Sequence, residues 1–266
     1  MRKVRAVIRL PLVALLTAVG VLLLLLGRPL SMVTAKGYRH WRRRVFQCWA
    51  RLLAKLAGMH FVVRGQPPQP PFFLVSNHLG YIDIPVLAAL TGGVFISRHD
   101  VRSWPLIGLA TRAAGTLFIN RAQTRDVVRL NRLLRAAWEA GEGVIFFPEG
   151  TSSAGAGVLP FKSPLLHVAA QNNYPVFYAT LSYHTPAGEP PAHLSVCWWG
   201  TMTFPDHIFR LLQLPRFKVF ITFGEVPVRE RDRKLLAHRL HQAIVAQFQP
   251  MVRAEEANRP HQPPQT

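Results

Sequence analysis

A chain of 266 residues exceeds one average domain and falls short of two, so the expectation is one large core with an appendage. With 49% hydrophobic and 17% charged residues it is too apolar to be disordered, and its two cysteines, Cys48 and Cys197, exclude a disulfide-stapled secreted fold. Basic residues outnumber acidic ones by 32 to 13, and thirteen of them lie between Arg2 and Arg64, before the first carboxylate of the chain, Asp83.

A surface of that sign attracts nucleic acid, anionic lipid or acidic proteins, and the neighbouring residues favour lipid. Residues 10–26, LPLVALLTAVGVLLLLL, carry no charge and are flanked on both sides by Lys and Arg. As a helix they reach about 25 Å, short of the roughly 30 Å hydrocarbon core, and the two basic flanks give no direction for a crossing. This predicts a shallow anchor on the cytoplasmic face of the inner membrane that does not cross it. Residues 41–61 place Val45, Trp49, Leu52, Leu53 and Leu56 at helical spacing, with Arg44, Arg51 and Lys55 elsewhere around the helix, as in an interfacial amphipathic helix. A cleaved leader is the alternative, since Val33, Thr34 and Ala35 imitate its cleavage site. The apolar run ends eight residues before Ala35, however, and the new start would be strongly basic. Nucleic-acid binding is disfavoured because no helix-turn-helix or zinc-finger pattern follows.

The proline-rich joint 66–71, QPPQPP, separates the helices from the body. Apolar runs at 72–75, 94–97, 116–119, 144–147, 176–181 and 218–223 alternate with helical patterns, the strongest of them at 124–140 and another at about 231–248. The reading is an α/β fold, a central mostly parallel or mixed sheet flanked by helices, with an N-terminal membrane-binding helix pair. Residues 1–65 are expected to form the anchoring helices, 66–250 the catalytic domain, and 251–266 a flexible tail.

Chemistry concentrates at three strand ends. In S-N-H-L-G-Y-I-D, His78 leaves a strand and Asp83 follows five residues later, near a helix start. A carboxylate that meets imidazole Nδ1–H leaves Nε2 as a proton acceptor, so His78 can act as a general base on an alcohol. No G-x-S-x-G nucleophile elbow is present, so the alcohol belongs to the substrate. The alternative is that Asn77 and Asp83 only cap turns. No third ligand at a suitable spacing supports a metal. In G-T-L-F-I-N-R a strand ends in Arg121, a planar fork suited to phosphate or to an ion pair with Glu149. In F-P-E-G-T, Glu149, Gly150 and Thr151 follow another strand, and the glycine lets backbone N–H groups approach an anion. Arg98 and Lys162 are further cations.

The ordered set of Asn77, His78 and Asp83, then G-x-x-F-I-x-R from Gly115 to Arg121, then F-P-E-G-T, then Y-P-V-F-Y from Tyr174 to Tyr178, resembles the four motifs of the glycerolipid acyltransferase family. That family includes the 1-acylglycerol-3-phosphate acyltransferases. The resemblance implies a membrane-associated O-acyltransferase whose donor is acyl-CoA or acyl carrier protein, with no bound cofactor. Its acceptor would be a lysophospholipid, first 1-acyl-sn-glycerol-3-phosphate, which becomes phosphatidate. It assigns the base to His78 and its orientation to Asp83, and it places the acceptor against Arg121, Glu149, Gly150 and Thr151. Ser152 departs from the arginine often found after F-P-E-G-T. With V-L-P-F-K-S following, this also looks like the branch that contains lyso-ornithine-lipid acyltransferases. A non-catalytic lipid-binding relative is the rival of a different kind, and the intact His78 and Asp83 oppose it.

Overall fold

The computed structural model describes residues 2–104, 106–120 and 124–257. Helix α1, Arg2–Leu26, and a short α2, Leu30–Val33, lead into α3, Ala35–Ala57. Thr34 caps α3 by accepting the Gly37 N–H, and Gly58 ends it at φ +78°. A Cβ on Gly58 would lie 2.6 Å from the Pro215 carbonyl oxygen, so the turn admits no side chain without moving backbone. Strand β1, Met59–Arg64, follows at once. The helix expected at 41–61 therefore begins six residues earlier and ends four earlier, and the last part of the expected anchor, 59–64, is a strand. Only Met59 in it is buried, so no apolar alternation betrays this edge strand.

The body continues as β2 (Phe72–Ser76), α4 (Asp83–Thr91), β3 (Val94–Arg98), a 3-10 turn (His99–Ser103), α5 (Ile107–Ala113) and β4 (Leu117–Ile119). Then come α6 (Thr124–Glu139), β5 (Gly143–Phe146), α7 (His167–Gln171), β6 (Val176–His184) and α8 (Ala192–Ser195). The chain closes with α9 (Phe204–Gln213), β7 (Phe217–Phe223), α10 (Arg233–Gln247) and α11 (Ala254–Ala257). The seven strands order as β1-β7-β6-β2-β5-β3-β4, parallel except for the antiparallel β6 and β7. This is the mixed, helix-flanked sheet that the sequence predicts.

β2 lies inside the sheet with every residue buried, which is why it reads as an unbroken apolar run. Phe72 and Leu74 face one layer, with Phe46 and Ala50 of α3, Val86 of α4 and Leu211 of α9. Phe73 and Val75 face the other, with Leu130 and Leu134 of α6, Val168 of α7 and Leu236 of α10.

Helix α1 packs along α3, α9 and α5. The indole N–H of Trp49 reaches Thr17 Oγ1 and that of Trp41 reaches the Leu23 carbonyl. Arg5 and Arg9 donate to the carbonyls of Gln213, Leu214 and Pro215, where cations satisfy the end of α9. On its other side Val7, Leu15, Leu22 and Leu26 are more than half exposed. Among the described residues, Arg2–Val33 is the one helical stretch long and apolar enough to cross a membrane. Residues 251 and 252, expected to begin the tail, are held by the body: the Met251 N–H bonds to the Gly155 carbonyl, its sulfur accepts the Tyr183 N–H, and Val252 is buried.

Candidate active site

β2 and β5 are parallel neighbours, so the loops that leave their carboxyl ends, 77–82 and 147–153, lie side by side. Asn77 fixes the first loop: its amide oxygen accepts the Leu181 N–H at 2.7 Å and its NH2 donates to the Leu181 carbonyl at 3.0 Å. It is buried and serves the backbone of β6. The His78 ring stacks on Phe147, centroids 4.1 Å apart and 11° from parallel, which sets its plane.

Asp83, in the first turn of α4, is fully buried. Its Oδ2 accepts from His78 Nδ1 at 2.7 Å, from the Leu79 N–H at 2.7 Å and from the Gly80 N–H at 3.1 Å. Its Oδ1 accepts from the Tyr183 hydroxyl at 2.5 Å. Four donors on two oxygens is the arrangement an ionised carboxylate takes. It fixes the imidazole as the Nδ1–H tautomer and leaves Nε2 free to accept a proton. The turn depends on Gly80, at φ +154°, because a Cβ there would sit 2.8 Å from the Trp198 backbone nitrogen. Burial, reinforced by the Asp83 charge, holds the Tyr183 phenol well above its ordinary range, so it stays a donor; the Cys197 thiol is raised by the same two causes.

Glu149 is placed beneath His78. Its Oε1 accepts the His78 N–H at 2.8 Å and its Oε2 accepts the Leu159 N–H at 3.2 Å. Burial raises its carboxyl to about 8, against the pull of those two N–H groups and with a further push from Asp83. The side chain braces the loop and does not line the cavity beside it.

That cavity, about 520 Å³, reaches His78 and runs between α1, α3, α5 and α9. Val13, Gly20, Phe46, Trp49, Ile107 and Leu211 make its wall apolar, while Gly150, Thr151 and Ser152 edge it near the imidazole.

The other expected acceptor contacts are dispersed. Arg98 reaches the cavity mouth, but its guanidinium forks onto Asp100 at 2.9 and 3.0 Å. The Ser152 hydroxyl donates to the Trp198 carbonyl at 2.5 Å and ties the two loops together, so its hydrogen serves the fold. Lys162 is exposed and away from the cavity; its N–H holds the Pro148 carbonyl. Arg121 lies outside the described residues. The structure thus unites His78, Asp83, Asn77 and the 149–152 loop, and leaves Arg98 at the mouth and Lys162 apart. Sequence reading missed Tyr183, whose signal is a hydroxyl-bearing side chain on a buried strand, where it needs a partner. It also missed Tyr81, on the cavity wall, whose hydroxyl meets His207 Nδ1 at 2.8 Å.

A family profile described as Acyltransferase matches residues 56–182. The chain is 33% identical over 207 residues to a lyso-ornithine lipid O-acyltransferase of Rhodobacter capsulatus, covering 76% of this chain and 74% of that protein. It is 30% identical to a 1-acyl-sn-glycerol-3-phosphate acyltransferase of Neisseria meningitidis, covering 77% and 80%. The crystal structure of the 1-acyl-sn-glycerophosphate acyltransferase PlsC from Thermotoga maritima aligns at a TM-score of 0.66 over 92% of this chain and 96% of that one, at 21% identity, so the fold is shared. Similarity that spans three quarters of the chain and the whole His78 and Glu149 region makes this protein a member of the acyltransferase family.

Proposed function

We propose that the protein moves a fatty acyl group from a thioester, on coenzyme A or acyl carrier protein, to the free hydroxyl of 1-acyl-sn-glycerol-3-phosphate, forming phosphatidate. The observation that carries this reading is a histidine held as an Nδ1–H tautomer by a buried carboxylate against an apolar cavity. Nε2 of His78 takes the proton as the acceptor oxygen attacks the thioester carbonyl carbon. The tetrahedral oxyanion collapses, the C–S bond breaks, and the protonated imidazole returns the proton to the leaving thiolate. A thioester already carries a good leaving group, so this scheme has no acyl-enzyme step. Asp83, Tyr183, Asn77 and Glu149 act as positioning residues; His78 alone among them meets the reacting atoms.

The cavity suits fatty chains, because its apolar wall gains favourable free energy for each methylene taken from water, about 0.8 kcal/mol. Helices α1 and α3 attach the protein to the cytoplasmic leaflet of the membrane. The apolar side of α1 that the body leaves uncovered enters lipid, and the surrounding cations meet anionic headgroups.

A lyso-ornithine lipid is the second acceptor we consider. The Arg98 and Asp100 pair at the cavity mouth offers both signs of charge, which fits a headgroup bearing both, and relatives of similar identity carry that name. Purified protein assayed with both donors against both acceptors distinguishes the readings. We expect acyl transfer with the higher kcat/KM on lysophosphatidate. Transfer to lyso-ornithine lipid alone would reverse the ranking, and no transfer to any lysolipid would refute the enzyme reading.

A further inference from the structure

Helix α5 and the turn before it form an exposed surface that the catalytic chemistry does not use. Trp104 and Leu109 are each 37% exposed and Leu106 is 83% exposed. Leu106 also adopts φ +59°, a left-handed conformation unfavourable for a residue with a branched side chain. A strained backbone that turns a leucine outward, beside an exposed tryptophan, marks a surface made to be covered.

Three observations say what covers it. First, α5 packs against α1, so these side chains continue the apolar surface that α1 leaves exposed. Second, the surface is basic: Arg102 and Arg112 are exposed on it, and between Asp83 and Asp126 the one acid is Asp100, which is already paired with Arg98. Third, Trp104, Leu106 and Ile107 line the mouth of the cavity that leads to His78. An apolar tip with an indole and arginines around it matches the interface between headgroups and acyl chains.

We infer that Trp104, Leu106 and Leu109 form a second lipid contact that enters an anionic leaflet beside α1, so that the α5 edge of the body touches the membrane as well as the N-terminal helices. This inference rests on the membrane attachment proposed above. It adds a claim about orientation: the α5 edge of the body faces the lipid, whereas α10, on the opposite layer of the sheet, faces water.

Site-directed fluorescence tests it on the full chain. With the exposed Cys48 replaced (Cys48→Ser) and Cys197 buried, single cysteines are introduced as Leu106→Cys, Leu109→Cys, Leu15→Cys on α1 and Leu235→Cys on α10, and each is labelled with bimane. Leu109→Cys serves as a second reporter should Leu106→Cys fold poorly. The proteins are bound to vesicles of phosphatidylglycerol and brominated phosphatidylcholine. We expect quenching at 106 and 109 to match that at 15, with 235 unquenched, and we expect weaker quenching at 106 when phosphatidylglycerol is omitted. Quenching at 15 but not at 106 or 109 would overturn the second contact and leave attachment through α1 standing. Quenching at none of the four would overturn the attachment itself. Equal quenching at 106 with and without phosphatidylglycerol would remove the role given to Arg102 and Arg112.

Discussion

The loop that carries His78 and the cavity mouth at Arg98 and Asp100 are built on opposite plans. Around His78 the polar groups are held by partners from distant parts of the chain, most of them buried: Asp83 by Tyr183, Asn77 by Leu181, and the His78 backbone by Glu149 and the half-buried Ser153. At the mouth, Arg98 and Asp100 are exposed and hold one another, a pair of little energetic weight. The contrast separates chemistry from selectivity. A base needs one fixed geometry, and a buried network supplies it. If the headgroup meets the exposed Arg98 and Asp100, preference can change without disturbing that network. The same contrast fits relatives with different acceptors that match this chain at similar identity.

The largest effect that would break the comparison is at Asp83. Asp83→Ala removes the orienting carboxylate and leaves the Leu79 and Gly80 N–H groups and the Tyr183 hydroxyl without their acceptor. We expect turnover to fall about 10²-fold or more and thermal stability to fall with it, since each buried group without a partner costs about 1–3 kcal/mol. Near-normal turnover in a folded variant would show that the network is not what holds the base.

Next comes Glu149, whose burial gives stability a pH dependence. Its carboxyl lies near 8 in the fold against an ordinary value of 4.5, so the folded chain holds a proton that the unfolded chain releases. Its contribution is therefore complete below about 4.5 and declines as pH rises through about 8. The full change is on the order of 5 kcal/mol. Denaturation of wild type and Glu149→Gln at pH 5, 7 and 9 checks this: the wild type should lose stability relative to the variant as pH rises, and a constant difference would contradict it.

Tyr183→Phe sharpens the comparison further, because it removes one hydrogen bond without changing shape. We expect kcat to drop about 10-fold, consistent with the weight of a hydrogen bond to a charged group. Wild-type kcat in the folded variant would reduce Tyr183 to a packing role.

The smallest effect belongs to the mouth. Asp100→Asn frees Arg98 for a phosphate, and we expect the preference for lysophosphatidate over lyso-ornithine lipid to rise about 3-fold, the scale of an exposed ion pair, at unchanged stability. Competition between the two acceptors measures it, and a shift toward lyso-ornithine lipid would contradict the role given to the pair.

Legibility in the sequence followed the same division. The strand runs were readable because buried parallel strands are continuously apolar, and the pairing of His78 with Asp83 was readable because five residues connect a strand end to the first turn of a helix. β1 was hidden because it follows α3 after a single glycine and has little buried surface to impose a period. Glu149 and Tyr183 were opaque for a different reason. Their partners lie 71 and 100 residues away, and no local pattern tells whether a carboxylate faces solvent, a substrate or a distant N–H. Ser152 was readable as a missing arginine, but its bond to the Trp198 carbonyl appears only when two loops meet.

The most direct test of His78 as the base is the acyl-transfer rate of His78→Ala beside wild type, with the same donor and lysophosphatidate and with equal amounts of folded protein. His78 contributes one side-chain nitrogen to the network and its ring is partly exposed, so the variant should fold and bind vesicles as wild type does. Turnover should fall about 10²-fold or more, the loss expected for a positioned base. Wild-type turnover in that variant would contradict it.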